Sequence, residues 1–315
     1  KFVNKCNTGS VFNKSFYLIP LAEIFKIRFD ILGVFDKDND LIAGFAFCHN
    51  KKLLFNYIYI PSLVPFYSYI ILDRPSKYLS KKERQEKDIT DSIINKIGKE
   101  YALADFRFHP NFRDTRPLSW NSFNHKINYT YSTDLTNLDN LYENFDSDIK
   151  RRIKKTLELD YTFIKDNSKN NIDEFYDLQT KSFVKQQIEF KLNKSQFFQF
   201  IENLKLKNCV NIYTIYFEEK PVSSCVVILD GKDSYYLLSG TDNNYSHQGF
   251  NQLLIWLTMK NLKENGVEHF DLVGANTETI AHYKSNFNFK LVPLYQAVKY
   301  NNRMFKTLFE LKKLF

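Results

Sequence analysis

The chain is poor in the residues that build disulfide frameworks and metal clusters. Its four cysteines, Cys6, Cys48, Cys209 and Cys225, are far apart, and no CxxC or Cys/His group occurs among its 315 residues. That spacing excludes a disulfide scaffold and a zinc-ribbon module, and the six scattered histidines suggest no metal site. Cys48 and Cys225 lie in strand-like apolar runs, where a buried free thiol is expected and a reducing cytoplasm fits. Long apolar runs are scarce as well. "LLFNYIYIPSLVPFYSYIIL", Leu53 to Leu72, approaches the roughly 20 residues of a bilayer span. Pro61 and Pro65 interrupt it, and two strands joined by a proline-bearing loop read better than a membrane helix. The opening "KFVNKCNTGSVFNKSF" lacks the pattern of a signal peptide. The expectation is a cytoplasmic protein with no transmembrane segment.

Charge and aromatic rings are abundant. Lys and Arg number 44 against 36 Asp and Glu, a net +8, which suits an anionic partner such as a nucleic acid, a phosphorylated small molecule or an anionic lipid. There are 30 Phe and 20 Tyr, and 43% of residues are hydrophobic, so the chain is globular and can bury a large core.

The length suggests two domains at about 150 residues each, and the pattern agrees. Residues 1–135 read as an α/β unit. "DILGVFDKDNDLIAGFAFCHN" is a hairpin, "DRPSKYLSKKERQEKD" a charged surface loop, and "ITDSIINKIGKEYA" a helix with Ile89, Ile93 and Ile97 at helical spacing. The pattern restarts near residue 136 and runs to 301. A basic helix, a strand, two helices, three strands with a hairpin over "EEKP" and a long apolar helix stopped at Gly266 lead to "VEHFDLVG". The tail "RMFKTLFELKKLF" is an amphipathic helix with Met304, Leu308, Leu311 and Phe315 on one face. It is either docked on the core or laid on a membrane surface.

Three stretches could carry chemistry. In "SDIKRRIKKTLE", Ile149, Ile153 and Leu157 form a buried stripe while Lys150, Arg151, Arg152, Lys154 and Lys155 crowd the rest. Phosphate binding and a solvated face balanced by Asp146, Asp148 and Glu158 are equally open readings. In "GTDNNYSHQGFNQLL", Gly249 precedes a helix whose first N–H groups could hold a phosphate, or it serves a plain strand-to-helix turn. In "DLVGANTETIAHYKSNFNFKLVPL", Thr277 can cap a short helix with Ile280, Tyr283 and Phe287 inward. Spacing alone makes Tyr283 a core aromatic and Lys284 a surface cation.

The order of these pieces resembles the Fem family of peptidyl transferases and the wider FemAB-like group of GNAT-fold proteins. The pieces concerned are "DSDIKRRIKKTLELDYTF", "FYDLQTKSFVKQQIEF", "EKPVSSCVVILDGKDSYYLLSGT" and "HFDLVGANTETIAHYKSNFNFKLVPL". The resemblance implies an α/β fold of mixed sheets in two tandem GNAT-like domains, 1–135 and 136–301. It also implies that 302–315 returns to the first. Lys284 then matches the Lys of the Fem Phe-Lys pair, supporting developing charge, and Tyr283 matches the GNAT tyrosine that protonates the leaving thiolate. Asn288 stands where that motif has Gly, a change that asparagine tolerates in left-handed backbone. Gln248 and Gly249 match part of the GNAT Gln/Arg-x-x-Gly-x-Gly/Ala loop, and Arg152, Lys155 and Lys185 would hold phosphates. The implied activity is N-acyl or aminoacyl transfer to an amine of a cell-envelope or polysaccharide precursor, phosphorylated or lipid-linked. Acyl-CoA or aminoacyl-tRNA would be the co-substrate, with no permanent cofactor and no metal. The implied location is the cytoplasm or the inner membrane surface, with peripheral membrane contact. The competing expectation is a non-catalytic module on the same fold that binds a polyanion such as tRNA or a lipid-linked phosphate.

Overall fold

The computed structural model describes residues 1–185 and 189–311. In chain order they form α1 (Ser15–Ile24), β1 (Arg28–Phe35), β2 (Leu41–Lys52), β3 (Phe55–Tyr59), β4 (Ile70–Ile71), α2 (Leu79–Glu100), β5 (Leu103–Arg107), α3 (Arg116–Trp120) and β6 (Asn124–Asp134). Then come α4 (Leu138–Glu143), α5 (Ser147–Leu157), β7 (Tyr161–Lys165), α6 (Lys169–Lys185), α7 (Lys194–Lys205), β8 (Val210–Phe217), β9 (Lys220–Asp230) and β10 (Asp233–Thr241). The last elements are α8 (Phe250–Glu264), β11 (His269–Asp271), α9 (Glu278–Ser285), β12 (Lys290–Tyr300) and α10 (Arg303–Leu311). The chain divides into two compact units, Lys1–Asn128 with Pro293–Phe315, and Tyr129–Val292. The divisions fall inside β6 and β12 and not at 135 and 301. Turn residues punctuate a sequence, whereas a strand can pass from one unit to the next without any break in its pattern.

In the first unit β1 and β2 form the expected hairpin, paired from Arg28↔His49 to Phe35↔Leu41, and β3 and β4 both pair with β2. β12 runs antiparallel to β5. Aromatic rings fill the interior: Phe45, Tyr67, Tyr69, Phe106 and Phe108 are buried and meet edge-on or tilted. Ile89, Ile93 and Ile97 of α2 are buried, as their spacing predicts. The helix begins at Leu79, so much of the stretch read as a loop is helical. Its Lys, Arg, Glu and Gln residues are good helix formers, and Lys87–Asp91 closes an i,i+4 pair at 2.6 Å. In α10 it is Phe305 that is buried, against Phe55 and Tyr57, while Met304 is 59% exposed. The seam is therefore Phe305 and Phe309, one residue on from the expected stripe, because the larger rings reach the cluster of Ala102, Leu103, Val298 and Tyr300. Phe315 lies outside the described residues.

In the second unit the strands run β6–β11–β10–β9–β8–β7, with β10 and β11 parallel and the other pairs antiparallel. Side chains alternate across this sheet. Tyr213, Ile215, Cys225 and Val227 join the core of α5 and α8, whereas Thr214 and Ser224 turn the other way and bond to each other, and Thr214 donates to Asn171 of α6. α6 lies so close to β10 that a Cβ on Gly240 would come within 2.5 Å of the helix backbone at Gln179. β10 and β11 pair only from Asp233↔His269 to Tyr235↔Asp271. β10 then shifts register between Tyr236 and Leu238 and continues to Thr241, while β11 ends. The parallel pairing ends there.

Candidate active site

The basic helix and the loop before α8 meet through a glycine. Gly249 has φ +90°, and a Cβ there would lie 2.6 Å from Thr156 Oγ1 and 3.1 Å from the carbonyl of Arg152. Only glycine allows both the backbone angle and this approach. Thr156 Oγ1 donates to the Gln248 carbonyl at 2.5 Å, and Arg152 Nη1 donates to the His247 carbonyl at 3.3 Å. Gln248, Gly249 and Arg152 therefore sit together at the N-terminus of α8. A helix start leaves N–H groups without intrahelical acceptors, so this is an electropositive corner. Arg152 also bonds Asp148 through Nε at 2.6 Å, and Arg151 is tied to the same carboxylate. This pairing holds the Asp148 carboxyl below the usual range, the Arg152 hydrogen bond contributing most. Lys155 is exposed on α5 and has no partner among the described residues. The buried stripe of α5 is Ile149, Ile153 and Thr156, and Leu157 is 44% exposed. A strict i,i+4 repeat overshoots a turn of 3.6 residues, so the third member drifts off the face and the residue before it replaces it. Lys185 ends α6, and its side chain lies outside the described residues.

Asn251, two residues beyond Gly249, links this corner to α9. Its Nδ2 donates to the Tyr283 hydroxyl at 2.8 Å, and its Oδ1 accepts from Tyr236 at 3.3 Å. Tyr283 packs on the core with its ring edge-on to Phe287, 5.7 Å between centroids. Burial raises its pKa well above that of a free tyrosine, while the Arg152 charge and the Asn251 hydrogen bond act to lower it. The hydroxyl accepts from Asn251, so its own proton remains available, with no acceptor among the described residues.

Lys284 is placed differently from its neighbour. Its Nζ donates to the carbonyls of Leu272, Val273 and Gly274, each at 2.7 Å. An ammonium has three protons, and here all three are committed to one loop. Val273 and Gly274 both have positive φ, 48° and 76°, and for β-branched Val273 this is strained. Lys284 thus clamps a tight turn at the end of β11. Burial pushes its pKa down to about 8, opposed by the Asp271 carboxylate. Asp271 is buried and its pKa is raised to about 6 by burial, against hydrogen bonds from Thr130 Oγ1 at 2.5 Å and the Val273 amide at 2.7 Å. Thr277 occupies the N-cap of α9 but makes no side-chain cap bond. Asn288 adopts φ +54°, the left-handed backbone expected of it. Sequence reasoning assigned no site role to Thr156, Asn251 or Asp271. Two of them carried a signal: a threonine inside a basic run at a stripe position, and an acid closing a strand whose neighbours are apolar.

The comparisons with known proteins bear on this arrangement. Residues 143–285 match the family described as acetyltransferase (GNAT) domain, and they include α5, the Gly249 loop, Asn251, Asp271, Tyr283 and Lys284. No curated protein matches the chain in sequence. Among solved structures the chain is similar to FemX, with TM-score 0.73 and 12% identity over 93% of this chain and 94% of that one. It is also similar to L-PGS from Bacillus licheniformis, with TM-score 0.57 and 12% identity over 99% and 94%. A tandem GNAT protein from the clavulanic acid biosynthesis pathway gives TM-score 0.54 and 8% identity over 88% and 84%. Residues 143–285 are thus similar to GNAT acetyltransferase domains, a match that covers less than half of the chain. The chain as a whole shares its fold with FemX and with the tandem GNAT protein.

Proposed function

We propose that the protein is an N-acyl or aminoacyl transferase acting on an amine of a cell-envelope or polysaccharide precursor. The observation that carries this reading is the hydroxyl of Tyr283. It is half-buried, accepts from Asn251 two residues beyond Gly249, and has no acceptor for its own proton among the described residues. In this reading the N-terminus of α8, Gln248, Gly249, Arg152 and the exposed Lys155 hold the phosphates of the donor, acyl-CoA or aminoacyl-tRNA. Lys185 stays assigned to phosphate by resemblance alone. The edge of β10 beyond Tyr235, which pairs with no strand among the described residues, takes the extended arm of the donor through backbone-like hydrogen bonds.

The acceptor amine attacks the acyl carbonyl. A C–N bond forms, the C–S or C–O bond to the donor breaks, and the leaving sulfur or oxygen takes the Tyr283 proton. The amine loses its surplus proton to solvent, from which the tyrosine is reprotonated. Holding the two substrates together supplies most of the gain, on the order of 7–11 kcal/mol. Lys284 acts by fixing the 272–274 turn, and its charge reaches the site only through the dipoles of the three carbonyls it holds. The test is turnover of acyl-CoA and aminoacyl-tRNA with UDP-linked muropeptide and amino-sugar acceptors. Transfer that Tyr283→Phe leaves at the wild-type rate would remove the tyrosine from the mechanism.

The competing reading is a non-catalytic polyanion-binding module. The exposed cations of α5 favour it, although Arg151 and Arg152 already spend charge on Asp148. Tight, steeply salt-dependent tRNA binding with no transfer to any acceptor would select it.

A further inference from the structure

The turn between β2 and β3 is built from residues that neither its conformation nor its surroundings favour. Lys52 pairs with Phe55, so the loop is the dipeptide Leu53-Leu54. Two-residue hairpin turns call for Gly, Asn or Asp, because one or both central residues need positive φ. Leu53 has φ +55°. Leu53 is 70% exposed and Leu54 84%, so among the described residues little apolar burial offsets the strain. Two consecutive leucines displayed on a rigid hairpin tip are explained by a surface outside the chain.

The surroundings of the tip identify that surface. Lys51 and Lys52 precede the leucines directly, and Lys52 Nζ reaches the Leu308 carbonyl of α10 at 3.4 Å. Leu54 shares a shallow hollow of about 200 Å³ with Lys99, Asn301 and Asn302, so the end of α2 and the start of α10 flank the tip. Arg303, Met304 and Lys306 are exposed at that start. The acid in the hollow, Glu100, is paired with Lys96 at 2.6 Å. An apolar point ringed by cations matches an anionic lipid bilayer, which offers phosphates at the headgroups and hydrocarbon just beneath. We propose that the Leu53-Leu54 hairpin docks the protein on anionic membrane, its leucines entering the headgroup boundary and Lys51, Lys52 and Lys99 meeting lipid phosphates. The proposal stands apart from the transferase reading, since none of these residues belongs to the candidate active site.

The test is co-sedimentation of the full chain with vesicles rich in phosphatidylglycerol and with vesicles of phosphatidylcholine alone. Wild type is expected to pellet with the first and stay in solution with the second, and added salt should weaken the binding. Leu53→Gly/Leu54→Asn supplies the residues the turn favours, so its melting temperature should match or exceed wild type while membrane affinity falls about tenfold or more. Lys51→Ala and Lys99→Ala should each lower affinity about fivefold. Transfer between soluble substrates should be unchanged in all three, which separates failure here from failure of the transferase reading. Three outcomes overturn the proposal: no binding of wild type to anionic vesicles, equal binding of the hairpin variant, or hairpin-dependent self-association without lipid, which would make a second copy the occupant.

Discussion

Tyr283 and Lys284 adjoin in sequence, yet their hydrogen bonds assign them opposite parts. Tyr283 keeps a proton to give, and Lys284 has none free. Tyr283→Phe should therefore lower kcat by about 10²–10⁴ and move stability by only about 1 kcal/mol, for one lost hydrogen bond. Steady-state rates and a thermal melt on the same sample check both. Lys284→Met should instead destabilise by about 2–4 kcal/mol, since it strands three carbonyls in a strained turn. Its lost activity would then track unfolding of the loop, visible as faster hydrogen exchange of residues 272–276. Asp271 adds a pH dependence. Its folded pKa, about 6, lies above the ordinary 3.8, so the folded state binds the extra proton between those values. That contribution is fully present below about pH 3.8 and is lost as pH rises through 6. Asp271→Asn keeps an oxygen for Thr130 and Val273 and should be more stable than wild type at pH 7, by up to about 3 kcal/mol. Urea unfolding should show the advantage shrinking as pH falls toward 4. None of these roles was legible from spacing alone, which placed Lys284 on the surface. A lysine three turns of chain away from its acceptors becomes a clamp only once the loop folds back.

Elements set where these residues can act. The Gly249 corner exists because α5 and α8 touch without a side chain between them. Gly249→Ala combines a clash with α5 and a positive φ, and it should cost about 2–4 kcal/mol and displace the donor site. Differential scanning calorimetry and donor affinity should fall together, whereas Lys155→Ala should weaken donor binding with no change in melting. At this scale the sequence was most readable where periodicity met burial. Ile89, Ile93 and Ile97, the hairpin from Asp30 to Asn50 and the stop at Gly266 all appear as read. It was least readable where good helix formers carry no apolar residues, as at Lys81 to Asp88, and where a stripe drifts, as at Leu157 and Met304. The short pairing of β10 with β11 had no local mark either, because it depends on what lies across the sheet.

Across the whole molecule, a basic chain folds as two compact units, and the family match lies in the unit that contains the candidate site. The order of motifs made the tandem GNAT-like fold readable in advance. The unit boundaries, hidden inside β6 and β12, were not. Among the described residues no helix is long and apolar enough to cross a membrane. The central claim is that the Gly249 corner binds an acyl donor which Tyr283 helps to discharge. A thermal-shift titration tests it most directly, using acetyl-CoA, longer acyl-CoAs, aminoacyl-tRNA and a UDP-linked muropeptide against wild type, Gly249→Ala and Tyr283→Phe. Binding to the folded state raises the melting temperature by mass action. The account predicts a rise with one donor class in wild type and Tyr283→Phe, and a rise absent from Gly249→Ala. An equal rise in all three proteins, or none with any donor, would contradict it.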